Sequence, residues 1–241
     1  MKLPKKISPC PIIEATVEIR FKSTVPTSAV FGILYDKLKD SYKNYEELPI
    51  LELPRSVLET DIKLKFLPHY HFLKDNFILQ LGPQMVSLSI RNNYSGWTLF
   101  MKEIDHLIDI LRDVKIIDKV SRIGMRYIDF FESMDVFKNI NLQLSLNDKP
   151  LDSISRYIRT EFQKEDFRIL LQITDTAEVT GKELTKMKGS LIDYDLSINK
   201  TFEDFYNEYK ELLNKAHEFL KEHFFTILIK KEFLKTLNPE Y

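Results

Sequence analysis

The side chains most able to do chemistry in this chain are its arginines. Of the nine, seven (Arg20, Arg91, Arg122, Arg126, Arg156, Arg159 and Arg168) fall where alternating apolar and polar residues predict β-strands. A guanidinium offers a rigid fork of donors suited to carboxylate and phosphate. Arg20, Arg122, Arg126 and Arg168 are the candidate anion-binding set. Carboxylates Glu18, Glu161, Asp193 and Asp195 lie on the same strands, at the opposite parity to the apolar residues. Two readings follow. One is an anion-binding concavity for a phosphate-bearing ligand or an RNA end. The other is a solvated sheet face held by cross-strand ion pairs, each worth well under about 1 kcal/mol.

Asp193 and Asp195 flank Tyr194 and share one strand face, about 7 Å apart by strand rise. They are the candidate metal pair, competent for a divalent cation if a third oxygen arrives from elsewhere. The competing reading is a salt bridge to Arg126 or Arg168. His69 and His71 also share a strand face, but no cysteine completes a zinc set near them. His106, His217 and His223 fall in helical segments at no metal spacing. The single cysteine, Cys10, sits in a proline-rich lead-in without a local base, so no Ser–His–Asp or Cys–His arrangement is assigned. Neither a Walker A pattern nor GxGxxG occurs among the six glycines. No catalytic residue and no cofactor is therefore assigned.

The elements that must position these groups are organised around Val120–Phe131, VSRIGMRYIDFF, in which Ile123, Met125 and Tyr127 alternate with Arg122, Gly124 and Arg126. Upstream, a strand is expected over Ile12–Phe21, then a helix from Pro26 with Val30, Phe31, Leu34 and Leu38 as its apolar stripe. Residues 42–61 read as a long irregular connection. Strands follow at Lys63–Leu73, Phe77–Leu81 and Met85–Arg91, with turns at Asp75-Asn76 and Gly82-Pro83. Ser95 is the expected cap of a helix carrying Trp97, Phe100, Ile104, Leu107 and Leu111.

Downstream, strands are expected at Ile140–Leu146, Ser155–Gln163, Phe167–Thr174 and Leu191–Ile198, with Asp175–Ser190 as a long polar loop. Thr201 and Asp204 resemble a capping box for a helix carrying Phe202, Phe205, Tyr209, Leu212, Ala216 and Phe219. One unbroken helix to Leu237 would run about 55 Å, too long for a domain of this size. A bend near Glu222–Phe225 and a second helical piece are expected. The helical spacing of Trp97, Phe100, Phe202, Phe205 and Phe219 reads as core packing rather than a base-stacking platform.

Composition narrows the function classes. The chain has 241 residues, 44% hydrophobic and 29% charged, as globular proteins do. Its net charge of −1 does not support general nucleic-acid binding. One cysteine fits a reducing cytoplasm. The basic lead-in lacks the apolar region of a signal peptide, and no run of about 18 apolar residues suggests a membrane span.

The two halves echo one another. Glu18-Ile19-Arg20-Phe21 resembles Gly124-Met125-Arg126-Tyr127, and Tyr94–Trp97 resembles Phe202–Phe205. The expected fold is α+β: two similar halves, residues 1–115 and 116–241, with antiparallel sheets carrying helices on one face. The sheets are expected to lie apart or to join as a curved, barrel-like groove. The C-terminal piece carries Phe224, Phe225, Ile227, Leu228, Ile229, Phe233, Leu234 and Leu237, more apolar positions than one helix face in water needs. That surplus predicts a homodimer or a protein partner docked through the C-terminal helices.

Pro-x-x-Glu (Pro11, Glu14), Tyr-x-Gly-Trp (Tyr94, Gly96, Trp97), Arg-x-Gly-x-Arg-Tyr (Arg122, Gly124, Arg126, Tyr127), Asp-x-Asp (Asp193, Asp195) and Leu-x-x-x-His (Leu213, His217) occur in this order. Together they resemble a sporadically distributed, uncharacterised family of bacterial and archaeal proteins of about this length. Asp129 departs from that family's pattern, where asparagine closely follows the Arg-Tyr pair. The patchy distribution implies mobile-element, toxin–antitoxin or defence neighbourhoods. Two functions are carried forward. The first is a non-enzymatic interaction or regulatory protein, the partner or neutralising subunit of such a system. The second is a metal-dependent enzyme or sensor that binds a phosphorylated ligand or nucleic acid on the arginine-bearing sheet face.

Overall fold

In the computed structural model the described residues are 2–150, 155–180 and 185–241. Alternation fixes the first strand, β1 (Ile12–Ser23): Ala15, Val17, Ile19 and Phe21 are buried, while Thr16, Glu18 and Arg20 stay half-buried on the other face. Helix α1 (Thr27–Leu38) buries Val30, Leu34 and Leu38, as its i, i+4, i+8 spacing requires. The stretch expected to be irregular contains β2 (Asn44–Glu47), a 3-10 turn at Pro49–Glu52 and α2 (Arg55–Thr60).

The strand expected over Lys63–Leu73 begins late. Asp61 accepts the backbone N–H of Lys63 at 2.8 Å, and this cap winds Ile62–Phe66 into a second 3-10 turn. Only then does β3 (Tyr70–Lys74) start. The strands β4 (Phe77–Gly82) and β5 (Met85–Arg91) follow, and Asp75 makes the β3–β4 turn at φ 52°. Helix α3 (Trp97–Val114) is preceded by Gly96 at φ 95°. Ser95 is not its cap: its hydroxyl donates to the carbonyl of Asn93.

The long strand β6 (Ile117–Glu132) is the central segment of the sequence. Ile140–Leu146 is mostly not a strand; Ile140 bridges to Ile229, and only Ser145–Leu146 (β7) pairs, with Lys149–Pro150 (β8). Next come β9 (Tyr157–Lys164), β10 (Phe167–Thr180) and β11 (Lys186–Phe202). The loop expected over Asp175–Ser190 is thus largely strand at both ends, and its residues 181–184 lie outside the described residues. Thr201 also belongs to β11, so the cap before α4 (Phe205–Glu222) is Asp204, whose backbone carbonyl accepts the N–H groups of Asn207 and Glu208. The expected bend is present: α4 passes into a π-helical turn at His223–Leu228 and then α5 (Lys231–Thr236).

Nine strands form one antiparallel sheet in the order β2-β3-β4-β5-β1-β6-β11-β10-β9. The sheet ends at β2 and β9 and is neither closed nor curled, which corrects the expected barrel-like groove. Among the described residues no helix is long and apolar enough to cross a membrane.

The chain forms two compact units. One comprises Met1–Ile13, Arg126–Leu196 and Leu212–Tyr241; the other comprises Glu14–Met125 and Ser197–Glu211. The main boundary between the units falls inside β6, between Met125 and Arg126. In the first unit Ile169, Ile173, Ile192 and Tyr194 face inward, as do Leu213, Ala216 and Leu220 of α4. The C-terminal apolar residues are internal as well. Phe224, Leu228, Ile229, Phe233, Leu234 and Leu237 are all buried on their own chain, leaving Ile227 exposed. The surplus that predicted a docking face is therefore core. In the second unit Val17, Phe21, Leu34, Phe72, Leu88 and Phe100 form part of the interior.

Candidate functional site

In the second unit the polar sheet face is a lattice of paired side chains. The β1–β5 register sets Glu14 opposite Arg91 and Thr16 opposite Ser89. Their side chains bond at 2.8 Å in both cases. Ser87 donates to Gln80, whose side chain meets His71. Glu18 holds two of the candidate arginines. Arg20 Nε donates to it at 2.7 Å, and Arg122 Nη1 pairs with the same oxygen. Arg20 also lies over the ring of Phe66. Gly124 gives Arg122 its place, since a Cβ there would collide with the Arg122 guanidinium.

In the first unit Arg126 grips Asp193 through both donors, and Gln172 donates to the same carboxylate at 2.9 Å. Arg168 pairs with Glu161, which Arg159 shares. Arg156 spans Asp175 and Asp135 while lying over Phe137. The pairing of Asp193 with Arg126 matches the salt-bridge reading of that strand, and both oxygens of Asp193 are engaged. Asp195 is half-buried beside it on the same face. Among the described residues no three His, Cys, Asp or Glu side chains gather as a metal site would need.

The inner face of this unit holds polar groups that were not among the candidate site residues. Tyr127 OH meets His217 Nδ1 at 2.9 Å, and Tyr194 OH meets His223 Nδ1 at 2.7 Å. Each pair joins a strand to the helical C-terminal part. Burial lowers His217 to about 4, helped by the charge of Lys221. Asp129, buried on β6, is pushed up to about 7, first by burial and then by the charge of Asp193. The available signal was a tyrosine at a core parity position and histidines on the apolar side of a helix. That signal is also what ordinary core residues give.

A different concavity stands in the second unit. A cavity of about 440 Å³ lies between the start of α1, the 49–66 segment and the β3–β4 strands, with Thr27, Ser28, Arg55, Lys65 and His69 among its lining. That volume is within the range of small-molecule sites, about 300–1,000 Å³. Its shape follows from local folding. Lys65 and Phe66 turn back because Asp61 caps the 3-10 turn, and Gly82 lets β4 approach the carbonyl of Leu67 where a Cβ would clash. The backbone of His69 is pinned on both sides: its N–H donates to Leu81 and its carbonyl accepts from Leu48.

His69 is 7% exposed, and its Nε2 has no hydrogen-bond partner among the described residues. Burial lowers its pKa, which disfavours the charged ring. A buried polar atom without a partner carries a cost of about 1–3 kcal/mol. Thr27 and Ser28 begin α1, whose first turn has no acidic residue and no side-chain cap. The open N–H groups of a helix start attract anions. Arg55 and Lys65 line the cavity as well, and no carboxylate is among its lining side chains in the described residues. The cavity thus has an anion-favouring end, with His69 in its wall. Sequence reading set His69 on one strand face with His71, because the 3-10 turn at Ile62–Phe66 was not legible. No protein-family model and no curated protein matches this chain.

Proposed function

We propose that this protein is a ligand-responsive regulatory protein that binds a small phosphorylated metabolite in the cavity of its second unit. The observation that carries the reading is a cavity lined by Lys65, Arg55 and the start of α1, with His69, whose buried Nε2 has no partner among the described residues, in its wall. A phosphate monoester with a free hydroxyl answers both needs. Its phosphate suits the cations and the start of α1, and its hydroxyl donates to Nε2. This reading keeps the phosphorylated ligand expected from the sequence but moves it off the strand arginines, which are engaged by Glu18, Asp193 and Glu161. A metal-dependent reaction at Asp193 and Asp195 would require Asp193 to release Arg126 and Gln172, and it has less support.

Such a protein fits the role of regulatory partner or neutralising subunit in a defence or toxin–antitoxin system, the setting that the resemblance implies. The strand order also supports an internal duplication, since β1-β5-β4-β3 is answered by β6-β11-β10-β9.

Thermal denaturation with inorganic phosphate, adenosine 5′-monophosphate, glucose 6-phosphate and their unphosphorylated parents tests the site. At saturation a phosphorylated probe is expected to raise Tm by several degrees. Lys65→Gln should weaken every phosphate probe. His69→Phe, which keeps a ring but no acceptor, should weaken the hydroxylated esters and spare inorganic phosphate. No rise with any phosphorylated probe at millimolar concentration overturns the reading.

A further inference from the structure

Among the described residues the sheet ends at β9, an eight-residue strand paired to β10 on one side only. Free edges usually invite other strands and are blunted by charge. The β9 charges are arranged differently. Its residues read Tyr157, Ile158, Arg159, Thr160, Glu161, Phe162, Gln163, Lys164. Turned antiparallel on itself about Thr160, the strand sets Arg159 opposite Glu161 twice, Ile158 opposite Phe162 twice and Tyr157 opposite Gln163 twice.

The backbone allows this register. A two-residue turn, Glu165-Asp166, closes the β9–β10 ladder at Lys164 and Phe167. Hydrogen-bonded pairs alternate in an antiparallel ladder. Even-numbered residues of β9 therefore direct their N–H and C=O groups to β10, and Tyr157, Arg159, Glu161 and Gln163 direct theirs outward. These four are the residues that the two-fold register pairs with one another. The side chains agree as well. Ile158 and Phe162 stand opposite buried Ile173 and Ile169, so they meet their counterparts on the apolar side. Arg159 and Glu161 meet on the polar side, where Arg159 is 51% exposed.

We propose that β9 is a self-recognition edge and that two copies of this chain join there as an antiparallel two-fold dimer with one continuous sheet. The inference is independent of the ligand site. Seven residues span about 23 Å of edge, a small interface, so the dimer should be micromolar rather than permanent.

Sedimentation equilibrium on the full chain is expected to show monomer and dimer exchanging across the micromolar range. Glu161→Arg sets arginine against arginine and should weaken the dimer at least about tenfold. The swap Arg159→Glu with Glu161→Arg should restore it. Thr160 is its own partner at a non-hydrogen-bonded pair, where Cα atoms lie about 4.5 Å apart, a distance a disulfide can bridge. In a Cys10→Ser background, Thr160→Cys should give a covalent dimer under mild oxidation. A strict monomer at the highest soluble concentration overturns the proposal. So does a dimer indifferent to the charge reversal that does not cross-link at 160, or open-ended assembly through β2.

Discussion

Arg126 holds Asp193 with both ends of its fork, Nε to Oδ1 at 2.8 Å and Nη2 to Oδ2 at 2.7 Å. The carboxylate side chain is 4% exposed and the arginine 43%. The pair is therefore anchored on its acidic side. Removing the arginine leaves a buried carboxylate with Gln172 as its remaining partner among the contacts described. Loss of one member of a buried pair costs about 3–5 kcal/mol, and water reaching the half-open arginine position reduces that to about 2 kcal/mol. Arg126→Ala should lower stability by that amount in chemical denaturation. Arg126→Ala with Asp193→Asn should recover most of it. Additive losses would remove the coupling.

Gly124 and Arg122 make a second coupled pair. Gly124→Ala should displace the Arg122 guanidinium and cost about 1 kcal/mol, because the group that must move is the end of a flexible side chain. In an Arg122→Ala background the same change should be neutral. A double-mutant cycle measures the difference, and an unchanged cost would place the constraint in the backbone instead.

Two buried groups set opposing pH dependences. Asp129 is raised from an ordinary 3.8 to about 7, so between these values the folded chain holds a proton that the unfolded chain has released. Its contribution is complete below pH 3.8 and fades as pH climbs through about 7. His217 is lowered from 6.5 to about 4. Its contribution is complete above pH 6.5 and fades as pH falls through about 4. Between pH 4 and 6.5 the slopes oppose each other. Asp129→Asn should leave stability rising with pH over that window, and His217→Gln should leave it falling. Denaturant midpoints across pH 4–8 read both signs.

The C-terminal helix belongs to the core. Phe233 is 5% exposed and packs on Phe131 with ring centroids 5.7 Å apart. Phe233→Ala should cost about 3–4 kcal/mol. Ile227→Ala, at an exposed position, should change stability by no more than about 0.5 kcal/mol. Equal effects would contradict the burial difference.

Local pattern was enough for the elements with one dry face. The alternation in β1 and β6, the three-and-four spacing in α1 and α4, and the excess length of the C-terminal helical run are visible in the residues alone. They specify strands, helices and a bend near Glu222–Phe225. Pattern failed where burial does not alternate cleanly. The Asp175–Thr180 part of β10 is polar, yet pairing makes it strand. Ile62–Phe66 alternates like a strand, yet the cap from Asp61 winds it. The arginines, the two candidate aspartates and His69 are likewise visible in the residues alone. Which carboxylate each arginine meets depends on register between strands as distant in sequence as β1 and β6. Only the folded chain sets that register, and only it buries the ring of His69.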